Sequence, residues 1–178
     1  MDYAMFEKLD GGIVKQLDVQ DINVEVTGNV DFEHYVASIA GRMYTNSRIL
    51  KTRVSGVIYG ADEVGGIVGL LASGNQINSV VNSAIVRSDQ YDLGGIAAKS
   101  SGDIHYSSFI GELQYNSRNV YRVGGMVAVM EAGSLRYGFV SGELILNTGS
   151  TPQYSSSSGV GAVVGQGNGG TVSRFIVD

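Results

Sequence analysis

The chain has 178 residues, 12 Lys and Arg against 17 Asp and Glu for a formal charge of −5, and 26 Gly but a single Pro and neither Cys nor Trp. The length suits one domain with a real hydrophobic core, while the missing cysteines exclude a disulfide framework and a thiolate metal site. The acidic balance argues against a nucleic-acid partner, near-absence of proline excludes collagen, and the longest apolar stretch, near Val64 to Ala72, is too short for a membrane-spanning helix.

At the N-terminus, Asp2, Glu7, Lys8 and Asp10 break the charged-then-apolar plan of a signal peptide. Leu17, Val19, Ile22 and Val24 then supply an atypical opening coil. Five related segments follow: Val36-Ala37-Ser38-Ile39-Ala40-Gly41, Val64-Gly65-Gly66-Ile67-Val68-Gly69, Leu93-Gly94-Gly95-Ile96-Ala97-Ala98, Val123-Gly124-Gly125-Met126-Val127-Ala128 and Val160-Gly161-Ala162-Val163-Val164-Gly165. Their leading residues are 28, 29, 30 and 37 positions apart. A period between about 20 and 50 residues marks a solenoid, propeller or array. Each copy continues to an apolar marker (Ile49, Ile77, Ile104, Leu135, Val172), and seven positions beyond the first four markers comes a small residue: Gly56, Ala84, Gly111 or Gly142.

Every repeat thus holds three short runs rich in Val and Ile, bounded by Gly, Ser and Asn, which read as strands. Three strands in such a period predict an all-β fold, a right-handed parallel β-helix of about six coils. At about 4.8 Å per coil it would form a rod near 29 Å long. One solenoid domain covers 1–178: an opening coil 1–35, repeat coils 36–63, 64–92, 93–122 and 123–159, and a partial coil 160–178. Inward residues are expected to stack as Ile67/Ile96/Met126/Val163 and Ile49/Ile77/Ile104/Leu135/Val172. Gly65, Gly66, Gly94, Gly95, Gly124, Gly125 and Gly161 are the structural glycines of the repeat, placed for tight corners and close backbone approach. The ends lack a polar cap, which reads as a piece of a longer secreted chain whose coil ends meet neighbouring domains.

The copies differ mainly after the third strand, where Asn116 to Arg122 and Asn147 to Gly159 are inserted. Insertions in solenoids project from one face, often a binding face. Tyr115, Arg118, Tyr121, Arg122 and Tyr154 are the candidate partner-contact residues, weighed against a solvated loop of drifting length.

Candidate chemistry is sparse. Glu112 and Glu143 occupy one coil position in successive repeats, where stacking would bring them to about 5 Å, the separation of a retaining glycosidase pair. Val57 and Ile85 fill that position in the earlier coils, so outward solvated glutamates are the plainer reading. His34 and His105 begin no His-Glu-x-x-His run, and both read as surface or turn residues. Gly165 to Gly170 formally match G-x-G-x-x-G, but strand-like Thr171 to Val177 follow instead of a helix. Glu63, Asp92 and Arg122 are expected in one exposed column, and Tyr106 is expected to stack on Tyr137. No catalytic, metal or cofactor residue is assigned.

Val64-Gly65-Gly66-Ile67-Val68-Gly69 with Gly74-Asn75-Gln76-Ile77-Asn78-Ser79-Val80-Val81 resembles the GLUG motif. That motif recurs in the non-catalytic region of M26 zinc metallopeptidases, the IgA1-protease-type enzymes of streptococci and relatives. Met5 to Val19 looks like the phrase that leads into this region, and the resemblance covers essentially the whole chain. It implies a non-catalytic scaffold or substrate-positioning domain of a secreted, cell-wall-associated Gram-positive protease. Its partners would be neighbouring domains of the parent chain and a host glycoprotein such as IgA1, with no nucleic acid and no membrane insertion. Zinc is expected in the parent peptidase domain, and no catalytic residue carries over to this chain. Alternatives are an adhesive repeat module of a non-enzymatic surface protein and a polysaccharide-degrading β-helix using Glu112 and Glu143.

Overall fold

Runs of two to nine β-formers, interrupted by turn residues, are too short to bury an apolar face alone, and each is completed by its copy from the next repeat. The computed structural model describes residues 1–27, 34–117, 119–147 and 153–178, and every regular element among them is a strand in a parallel ladder. The chain winds as a β-solenoid with four walls.

The first wall stacks Tyr35–Val36, Glu63–Gly65, Leu93–Gly94, Asn119–Gly124 and Gln153–Gly161. The second stacks Phe6–Asp10, Ala40–Tyr44, Val68–Leu71, Ala97–Ser100, Val127–Met130 and Val164–Gly167. Ile13–Lys15, Arg48–Leu50, Gln76–Asn78, Asp103–His105, Ser134–Arg136 and Thr171–Ser173 form the third. The fourth starts with Asp18–Glu25 and Arg53–Gly60, and later coils break it into pairs such as Val81–Asn82 and Ile85–Ser88. The expectation of three strands per coil is therefore corrected to four walls, the last one bent. The coil count also falls short of six: four complete turns lie between Tyr35 and Gly161, with partial coils on either side.

The expected ladders form in register. Ile49 pairs with Ile77, Ile77 with Ile104, Ile104 with Leu135 and Leu135 with Val172, while Val14 adds a rung before Ile49. Ile67, Ile96, Met126 and Val163 follow one another through backbone hydrogen bonds of 2.8 to 2.9 Å, and Ile39 precedes them. The fourth wall contributes a ladder not foreseen, Val24, Ile58, Val86, Leu113 and Leu144. Interior rungs are completely enclosed, whereas Val160 and Val172 in the last coil are 43% and 49% exposed because a neighbour covers them on one side only.

The two glycines of each doublet have separate tasks. A Cβ on Gly65, Gly94, Gly124 or Gly161 would lie 1.9 to 2.0 Å from a carbonyl three residues on, in its own coil. A Cβ on Gly66, Gly95 or Gly125 would lie 2.0 to 2.2 Å from the carbonyl of the next coil's doublet. None of the seven has a positive φ, so close approach, and not a left-handed turn, requires glycine here. The variant copies fit this rule. Ser38 turns the close approach into a hydrogen bond, its Oγ donating to the Gly66 carbonyl at 2.5 Å. Buried Asn82 fills the space beside Gly66, donates to the Gly95 carbonyl at 2.6 Å and accepts from the Ala84 N–H at 3.0 Å.

Candidate functional site

The charged column predicted at the start of the first wall exists, but it is buried. Asp92 is wholly enclosed and Glu63 nearly so. Arg122 forks onto Asp92, its Nε donating to Oδ1 at 2.6 Å and its Nη2 to Oδ2 at 3.0 Å. Glu63 is held by Lys99, which reaches across from the second wall and which the column pattern did not reveal. Burial pushes the Asp92 carboxyl up to about 6, because desolvation outweighs the favourable Arg122 charge and Glu63 adds repulsion. Removal from water is why these pairs matter more than the exposed pairs expected from sequence.

The insertion corner is likewise reorganised. The inserted residues lengthen the first wall into the paired strands Asn119–Gly124 and Gln153–Gly161, with a register shift between Val120 and Arg122. Tyr115 is completely buried, so it is corrected from a partner-contact residue to a core strut. Its hydroxyl lies within hydrogen-bonding reach of the Gln90 and Asn119 carbonyls and accepts the Tyr121 N–H at 3.3 Å. Burial raises its phenol above the usual range. Arg122 is committed to Asp92 in the same way, and is corrected from a contact residue to a structural one. Tyr121 packs its ring against Tyr91, centroids 4.9 Å apart and planes at 43°. Arg118 and the Tyr154 side chain lie outside the described residues.

Glu112 and Glu143 are register partners, in a column that carries Asn23, Val57 and Ile85 in the earlier coils. Glu112 accepts a hydrogen bond from Gln114. Glu143 borders a cavity of about 270 Å³ whose other walls include Phe109, Leu113, Val140 and Leu144. One triad of polar side chains was not foreseen. Ser134 donates to Asp103 at 2.6 Å and lies 2.8 Å from His105 Nε2. The hydroxyl proton is therefore directed at the carboxylate, leaving the imidazole to donate to the serine. That is the reverse of the arrangement that activates a nucleophile. Gly165 to Gly167 lie within the second-wall strand Val164–Gly167, so of the stretch read as a coil corner only Asn168 to Gly170 make the corner, before the third-wall strand Thr171–Ser173. His34 donates its backbone N–H to Asp62 at 3.0 Å.

Among the described residues no group of three or more His, Asp or Glu converges as a metal site. The geometry defines a parallel β-solenoid whose polar groups largely tie coil to coil. No protein-family model matches the chain, and no curated protein matches it.

Proposed function

We propose that the chain is a scaffold and substrate-positioning module of a larger secreted surface protease of the M26 type, holding a host glycoprotein near a separate peptidase domain. The observation that carries this reading is structural continuity. The third-wall ladder from Val14 to Val172 runs through successive coils in register, and the register shifts at Val19/Ile22 and Val120/Arg122 lie in other walls. The ionic and hydroxyl groups in the repeats bridge one coil to the next. A stack of this kind transmits position along its axis, since each coil is fixed by the one beside it. The similarity of Val64 to Val81 and of Met5 to Val19 to the GLUG region supports the assignment to this protease class.

Two measurements test the proposal. The parent sequence should carry a His-Glu-x-x-His motif outside these residues. Removing this segment from the full-length protein should lower kcat/KM on the glycoprotein while sparing cleavage of a short peptide. A parent lacking the motif, or equal losses on both substrates, would overturn it.

A further inference from the structure

The corner between the third and fourth walls is built the same way in the four complete turns and in the partial coils on either side. Gln16, Lys51, Ser79, Tyr106, Tyr137 and Arg174 all adopt a left-handed backbone, with φ between 50° and 59°. Their N–H groups bond in sequence up the stack, Lys51 to the Asn78 carbonyl at 3.0 Å, Ser79 to His105 at 3.1 Å and Tyr106 to Arg136 at 3.0 Å. Residues with side chains occupy this conformation at a cost. Repeated coil after coil, it sets six side chains in file at the rung spacing of about 4.8 Å.

Tyr106 and Tyr137 stack within this file, centroids 4.7 Å apart and planes at 1°. The Arg174 guanidinium covers the far side of Tyr137, 4.9 Å from its centroid. The other neighbour of Tyr106 is Ser79, the smallest side chain in the file, and Tyr106 is 57% exposed. Ser79 and Lys51, with Arg53 and Asp18, line a groove of about 340 Å³.

Charge singles out the same strip. Lys15, Arg48, Lys51, Arg53, Arg136 and Arg174 lie on the outward third-wall positions, the corner and the first fourth-wall position, whereas Asp18 and Asp103 are the acids there. The strip is cationic in a chain of net charge −5. Elsewhere Lys8, Arg42, Arg87, Lys99 and Arg122 each lie within 4.0 Å of a carboxylate. None of the six cations of the strip does so among the described residues.

We propose that this strip binds an acidic polysaccharide laid along the solenoid axis, with a sugar ring against Tyr106 over Ser79 and carboxylates on Lys51 and Arg53. An aromatic face takes the apolar side of a sugar ring, and unpaired cations take its acid groups. Between the cationic early coils and Arg136 and Arg174 lie Gln76, Asn78 and His105, whose donors and acceptors suit hydroxyl groups, with the one acid, Asp103, accepting from Ser134 at 2.6 Å. This spacing of charge by neutral hydrogen-bonding side chains favours a hydroxyl-rich, sparsely charged polymer over a nucleic acid with a charge on every unit. The inference is independent of the protease assignment.

The test uses the 178-residue chain and a labelled hyaluronate octasaccharide at low ionic strength, read by fluorescence anisotropy. Saturable binding that weakens with salt is expected. The double variant Lys51→Gln, Arg53→Gln should weaken it at least about tenfold and flatten the salt dependence. Tyr106→Asn, chosen because asparagine tolerates the left-handed region, should weaken it about fivefold with the salt slope unchanged. Lys8→Gln, on the second wall, should leave binding intact. Absence of saturable binding, or full affinity in both strip variants, overturns the proposal. Tighter binding of an oligo-dT of equal charge overturns it in favour of nucleic acid. The two cation substitutions alter exposed groups, so that arm reads binding even if Tyr106→Asn fails to fold.

Discussion

Arg122 and Asp92 form a two-pronged ion pair between successive coils, on a carboxylate wholly removed from water. The Asp92 carboxyl is at about 6 in the folded chain against 3.8 ordinarily, so the folded state holds this proton more tightly than the unfolded state. Its contribution to stability is therefore full below about pH 4 and is lost as pH rises to about 6. Arg122→Met removes the cation and should cost about 3 kcal/mol or more at pH 7, with a smaller loss at pH 4, where the carboxyl is neutral. Urea unfolding of parent and variant at both pH values checks this; equal losses would show that the pair acts through packing alone.

The doublet glycines predict a sharp positional contrast. Gly95→Ala would bring a methyl group to 2.1 Å from the Gly125 carbonyl and 2.5 Å from the Phe109 ring. We expect a loss of about 1–3 kcal/mol or failure to fold, as for overpacked cores. Gly167→Ala meets nothing within 4 Å and should leave the melting temperature nearly unchanged.

Tyr115→Phe removes the hydroxyl that joins Gln90, Asn119 and Tyr121. The expected cost is about 1–2 kcal/mol, as partners of a lost buried hydrogen bond remain desolvated. Because burial keeps the phenol protonated, alkaline difference absorbance near the ordinary tyrosine range should be the same in parent and variant while both stay folded. A smaller amplitude in the variant would show that Tyr115 is open to solvent.

Ladder position should set the cost of truncation. Ile96 is fully enclosed between Ile67 and Met126, so Ile96→Ala is expected to cost about 2–5 kcal/mol. Val172, half exposed in the last coil, should lose well under half of that on Val172→Ala. Chemical denaturation of both variants gives the comparison.

The inward ladders were legible because one apolar marker recurs beside small residues at nearly constant spacing, and parallel stacking turns equal spacing into direct contact. The Tyr106 and Tyr137 stack followed from the same register. The left-handed corner escaped notice because Gln16, Lys51, Ser79, Tyr106, Tyr137 and Arg174 share a backbone conformation but no side-chain type. Lys99 was missed as the Glu63 partner because it comes from a different wall of a later coil, an angular relation that spacing within one column does not encode. Tyr115 and Arg122 looked like surface anchors because they stand at an insertion, yet the insertion extends a strand, Tyr115 is buried and Arg122 is turned onto Asp92.

Repetition by itself determined the parallel winding, the order of the stacked residues and the need for small groups where coils touch, since each follows from like residues meeting like at one rung per turn. Only the tertiary structure decided how many walls a turn has, which charges are shielded from water and which remain free along the outer strip. Those outcomes depend on how sharply the backbone bends at each corner, and residues as different as Ser79 and Tyr106 bend there in the same way because neighbouring coils hold them in place.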